Sequence, residues 1–172
     1  LAPTTGIDIE VEVVAELAPR NPFDFLLDPA AEHTPFSYGD ELTEDLTPHL
    51  RVDAPGPQLT AFLGGLDRTT GPTTEVVVGT GQAVAAAVRH QVRTETGVWS
   101  PEETLQRGTG SCRDSAWLLV PALRHLGMAA RFVSGYLVEL APTGDVTDLH
   151  AWAEVILPGA GWVGIDATSG LL

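Results

Sequence analysis

The sequence predicts an α+β domain in which one buried helix packs on an antiparallel sheet. Two observations carry this. The run 112–126 is apolar on most sides, with Ser111 and Asp114 spaced as a capping box at its start and Gly127 as its stop. Three strand-like runs follow it, 130–140, 148–157 and 161–166. A length of 172 residues, with 44% hydrophobic and 19% charged residues, is about one domain with one sizeable core.

Element by element, Ile7, Ile9, Val11 and Val13 alternate with Asp8, Glu10 and Glu12, the period of a half-buried strand. From Pro19 to Pro57 proline, acidic residues and scattered aromatics leave no periodicity apart from a short helix near Glu41 to Leu50. A helix is expected from Gln58 to a stop at Gly64-Gly65. Another is expected along Val77, Thr80, Val84, Val88 and Val92, although Gly79 and Gly81 each cost about 1 kcal/mol there. Ser100-Pro101-Glu102-Glu103 starts a further short helix that stops before Gly108-Thr109-Gly110. Pro121 interrupts the apolar helix and is expected to kink it or free a carbonyl.

Composition excludes several classes of function. A formal net charge of −14 disfavours a nucleic-acid partner, which needs clustered basic residues. All nine basic residues are arginine, so the segment holds no ε-amine of its own. No apolar run is long enough to span a bilayer, and no leader opens the chain, so no membrane partner and a cytoplasmic location are expected. Because the chain begins at Leu1 without methionine, it reads as a segment of a longer protein with further domains. The single cysteine excludes an internal disulfide and argues against a thiolate-rich metal site. His33, His49, His90 and His125 lack ligand spacing, so no metal or cofactor is expected.

Cys112 is then a packed thiol, a surface accident or a reactive group. Taken alone the packed thiol is favoured, and a place in the first turn of a helix supplies part of what a nucleophile needs, since unpaired amides and the helix dipole there stabilise a thiolate and donate to an oxyanion. A thiol nucleophile also needs a base. Among the five histidines His150 stands out, because the next strand ends in Asp166. A three-residue loop of Pro158, Gly159 and Ala160 places Asp166 opposite Trp152 and diagonal to His150, a spacing of about 7–8 Å that a carboxylate and an imidazole can bridge. Asp166 would then orient His150, and His150 would serve Cys112.

Four segments in this order resemble the core motifs of the transglutaminase-like superfamily: Gly110-Ser111-Cys112-Arg113-Asp114-Ser115-Ala116, Ala130-Arg131-Phe132-Val133-Ser134-Gly135-Tyr136, Leu149-His150-Ala151-Trp152-Ala153-Glu154-Val155 and Gly161-Trp162-Val163-Gly164-Ile165-Asp166-Ala167-Thr168. The resemblance implies a papain-like core over 73–172, preceded by a strand and irregular region, 1–72, packed on it. It also implies Cys112 as nucleophile, His150 as general base and acid, Asp166 as orienting carboxylate, and a protein or peptide substrate. Thiol-dependent acyl transfer on an amide or peptide carbonyl is expected, with hydrolysis favoured over amine transfer. The alternative is an inactive member of the family kept as a protein-interaction module.

Other features read as structural. Trp152, Trp162, Trp117 and Tyr136 are expected in the core or the cleft wall. Asp114 caps the helix, and Arg113 pairs with nearby acids. Gln106 and Trp99 are weak candidates for a second oxyanion donor. Val76-Val77-Val78-Gly79-Thr80-Gly81 only superficially resembles a dinucleotide-binding turn, since the third small residue is missing and no second βαβ unit follows.

Overall fold

Side-chain oxygens hold the starts of three helices, those beginning at Pro57, Pro101 and Cys112. A computed structural model describes residues 24–66, 71–139 and 146–168, with residues 6, 10, 12, 14, 16 and 21. The alternating segment Ile7–Val13 lies outside a continuous described stretch. A 3₁₀ turn, Pro29–Ala31, precedes strand β1, His33–Thr34, and helix α1, Asp40–Leu50. Helix α2, Pro57–Gly64, begins with proline at its first position, and the carboxylate of Glu102 accepts its free amides from Gln58 and Leu59 at 3.0 and 2.8 Å. Strand β2, Gly71–Pro72, pairs with β1 and leads into helix α3, Thr73–Ala87.

Helix α3 ends at Ala87 rather than continuing to Val92, because the chain leaves it to pair with a later strand. Strand β3, Arg89–His90, runs parallel to β4, Thr109–Gly110, with the Arg89 and Gln91 amides donating to the Gly108 and Gly110 carbonyls at 3.0 and 2.9 Å. Between them lies α4, Pro101–Arg107, capped by the Ser100 hydroxyl, which accepts from the Glu103 amide at 3.2 Å. It ends at Gly108, whose φ of 61° is left-handed and suits glycine. Gly79 and Gly81 lie inside α3, so the backbone there is helical and forms no phosphate-binding turn. A β-carbon on Gly81 would sit 3.0 Å from Ile165 Cγ2, so the glycine permits the close approach of α3 to the sheet.

Helix α5, Cys112–His125, continues through Pro121 as one element, so the interruption expected there is not a break. It packs on an antiparallel sheet of order β5-β6-β7, formed by Ala130–Glu139, Val146–Leu157 and Gly161–Ile165. Ala151, Ala153, Val155 and Leu157 of β6 are buried, as are Leu118, Leu119, Ala122 and Leu123 of α5. The alanines leave room for α5, and Val77, Val84, Leu59 and Leu63 complete the core from α3 and α2.

The irregular segment before α1 is tied down by Tyr38. Its hydroxyl donates to the Ile156 carbonyl at 3.0 Å and accepts from the Ala129 amide at 2.8 Å. Burial pushes this phenol up to about 12, with the Ala129 amide pulling in the opposite direction.

Candidate active site

The start of α5 is held by a buried carboxylate. Asp114 is fully buried, and its Oδ2 accepts from both the amide and the hydroxyl of Ser111 at 2.8 Å, closing the capping box. Arg93 donates to both carboxylate oxygens at 3.0 Å, and the Trp99 amide donates to Oδ1 at 2.8 Å. Burial alone would raise this carboxyl, but hydrogen bonds from Arg93, Trp99 and Ser111 hold it below its ordinary value. A β-carbon on Gly110 would lie 2.9 Å from that of Asp114 and 3.3 Å from Val88 Cγ1, so only glycine fits just before the cap. Cys112 is thereby placed in the first turn of α5 by a rigid, charge-assisted network.

The sheet brings the second pair of residues together. The three-residue connection 158–160 sets Leu157 opposite Gly161 and Ala153 opposite Ile165, and the next step puts Asp166 beside Trp152, one diagonal from His150. His150 Nε2 lies 2.9 Å from Asp166 Oδ2, and both side chains are largely shielded, at 14% and 15% exposure. A carboxylate only accepts, so Nε2 carries the proton and Nδ1 is the basic nitrogen. The Thr168 hydroxyl and amide donate to Asp166 Oδ1 at 2.7 and 2.8 Å, occupying the other carboxylate oxygen. Trp152 spreads over two glycines: a β-carbon on Gly135 would come within 2.7 Å of its ring, and one on Gly164 within 3.4 Å.

Cys112 and His150 line one cavity of about 440 Å³, together with Gln91, Arg113, Ser134 and Leu149. They share it without a thiol–imidazole hydrogen bond, an arrangement that commonly tightens only when substrate is present. A second cavity, about 210 Å³, lies between the 51–56 segment and α5 and contains none of the three residues.

Several expectations need correction. Trp117 and Tyr136 are 44% and 57% exposed rather than in the core, and none of the four aromatics lines the Cys112 cavity. Arg113 donates to the Arg93 and Glu95 carbonyls at 3.2 and 3.1 Å instead of pairing with acids. Neither Gln106 nor Trp99 lines the cavity. The Trp99 ring is stacked 4.3 Å from both the Arg93 and Arg107 guanidinium carbons, which explains its place structurally. Thr168 and Arg93 carried no role in the sequence reading. The Asp-x-Thr pattern at 166–168, a common side-chain-to-backbone turn, was the available signal for the first. Arg93 had none.

Residues 63–167 match the family described as the transglutaminase-like superfamily, and the chain belongs to that superfamily. Uncharacterized proteins of Mycobacterium bovis and Mycobacterium tuberculosis are 38% identical over 76 residues, 39% of this chain. The chain spans about a quarter of the length of those relatives, 24%. Among solved structures it is similar to a candidate cysteine protease from Cytophaga hutchinsonii, with a TM-score of 0.63, 23% identity and coverage of 82% of this chain and 47% of that one. It is also similar to the periplasmic domain of TgpA from Pseudomonas aeruginosa bound to ethylmercury, with a TM-score of 0.57, 26% identity and coverage of 77% and 50%. The α+β, papain-like fold with a helix on an antiparallel sheet is therefore the fold of this chain. Among the described residues no helix is long and apolar enough to cross a membrane.

Proposed function

We propose that the chain carries out thiol-dependent acyl transfer, with Cys112 as nucleophile, His150 as general base and acid, and Asp166 as the carboxylate that orients His150. The observation that carries this is the His150–Asp166 hydrogen bond at 2.9 Å, whose imidazole shares a cavity with the only cysteine, at the first turn of a helix. His150 Nδ1 takes the thiol proton, and the sulfur adds to a carboxamide or peptide carbonyl carbon. A C–S bond forms, and the π pair moves onto oxygen, where the Cys112 amide stabilises it. Collapse breaks the C–N bond, and the amine leaves with the proton from His150. Water then cleaves the thioester.

Hydrolysis is favoured over transfer to a second amine because the rim offers a cation little. Arg93 and Arg113 line the cavity beside a single carboxylate, Asp148. The substrate proposed is a protein or peptide, and the 1–72 region together with segments beyond this chain would supply selection among substrates. The TgpA neighbour is a periplasmic domain. The cytoplasmic location expected from sequence is therefore a separate proposal, to be checked by cell fractionation.

The test is acetylation by p-nitrophenyl acetate, followed by nitrophenolate release and intact mass. The expected result is a burst with one acetyl group on Cys112, lost in Cys112→Ser and slowed at least about 100-fold in His150→Ala. A thioester that forms at the same rate without His150 would favour the interaction-module reading. Added methylamine that captures the acetyl group faster than water would replace hydrolysis with amine transfer.

A further inference from the structure

The sheet runs on past the helix that covers it. Along the face on which α5 packs, Ala153 and Ala151 of β6 are buried, whereas Leu149, the next residue on that face, is 68% exposed. Its cross-strand partner Tyr136 is 57% exposed, and Val138, the next residue of β5 on the same face, is 38% exposed. Side chains directly opposed across a ladder stand about 4.5–5.5 Å apart, so these residues form one apolar shelf. Single exposed apolar residues are ordinary, but a contiguous group marks a binding surface.

Leu149 also lines the Cys112 cavity, and so does Val92, 87% exposed, from the segment that follows β3. The shelf is therefore continuous with the site, and Tyr136 extends it beyond the cavity mouth. Strand alternation indicates which part of a substrate meets it. His150 must face the leaving amine to protonate it, and Leu149, its neighbour in β6, points to the opposite face, the one on which α5 and its first-turn thiol lie. The leaving part of the substrate is directed one way, and the acyl part, bonded to sulfur, the other. Resting on the thiol chemistry proposed above, we infer that Leu149, with Tyr136 and Val92, selects substrates whose acyl part carries a large apolar side chain.

A comparison of p-nitrophenyl hexanoate with p-nitrophenyl acetate tests this. With either ester the thiolate forms a C–S bond to the carbonyl carbon, and the C–O bond breaks to release p-nitrophenolate, so only the length of the acyl chain differs. Each buried methylene favours binding about fourfold, and burial of about two of the added methylenes predicts second-order acylation of Cys112 at least about tenfold faster with hexanoate, after each rate is divided by that of free 2-mercaptoethanol. Leu149→Ser and, separately, Val92→Ser are expected to lower this preference at least about threefold through a selective loss with hexanoate. Val52→Ser, which alters an exposed apolar residue at the second cavity, is expected to keep it. A wild-type ratio near one, an unaltered ratio in both shelf variants, equal slowing of the two esters, or a loss of preference in Val52→Ser would overturn the inference. Acetylation of Cys112 without chain preference refutes the shelf alone, whereas a Cys112 that neither ester acylates refutes the thiol chemistry and the shelf with it.

Discussion

Asp166 is held on both of its oxygens, Oδ2 by His150 and Oδ1 by Thr168, so the imidazole meets a carboxylate that cannot swing away. Thr168→Val removes the hydroxyl donor and keeps the shape. With a hydrogen bond to a charged group worth about 1.5–3 kcal/mol, acetylation of Cys112 is expected to slow by about tenfold with little change in melting temperature. The pairing of His150 with Asp166 was legible in the sequence because strand parity is arithmetic: a three-residue connection leaves little freedom in register. Thr168 was legible only as part of a motif. The exposure of Tyr136 and Trp117 was not legible, because alternation gives the face of a strand but not how far a helix reaches along it. Tyr136 and its cross-strand partner Leu149, 57% and 68% exposed, belong to the strand ends whose central alanines are covered by α5.

At the scale of elements, two devices fix the site. The first is the Arg93–Asp114 pair, with side chains 5% and 0% exposed, which joins the loop after β3 to the start of α5. Removing one partner strands a buried charge, so Arg93→Met is expected to destabilise the fold by about 3–5 kcal/mol in a denaturant titration. Because the folded Asp114 carboxyl lies below its ordinary value, its contribution is present above the unfolded range near 3.8 and is lost as pH falls through the folded value. The second device is Trp152 laid across β5 and β7. Gly135→Ala would push a methyl to 2.7 Å from its ring, and a loss of about 1–3 kcal/mol is expected in the same titration. The helix start at Ser111 and Asp114 could be read directly, since capping is local. The β3–β4 ladder could not, because two-residue strands show no period and their partners lie twenty residues apart. That ladder is also why the helix expected to reach Val92 stops at Ala87.

Across the whole molecule, the helix layer and the sheet contribute different halves of one site: the thiol sits where α5 begins, and the imidazole and carboxylate sit on neighbouring strands. The segment before α1 braces the far end of that sheet through Tyr38. Since its folded phenol is raised to about 12 while an unfolded tyrosine titrates near 10, stability should fall as pH rises from about 10 to 12. A shallower decline is expected in Tyr38→Phe, measured by chemical denaturation across that range. The two layers were recognisable from periodicity and the four ordered motifs, whereas the bracing by Tyr38 links residues 118 positions apart and leaves no local trace. The central claim is that these layers assemble a working thiol–imidazole–carboxylate site, and the most direct measurement is the pH profile of iodoacetamide modification at Cys112 in the native chain, His150→Ala and Asp166→Ala. The account predicts rapid modification of the native chain near pH 6 and at least about tenfold slower reaction there in His150→Ala, with Asp166→Ala between them. Three superimposable profiles rising only near the ordinary thiol value of about 8.5 would contradict it.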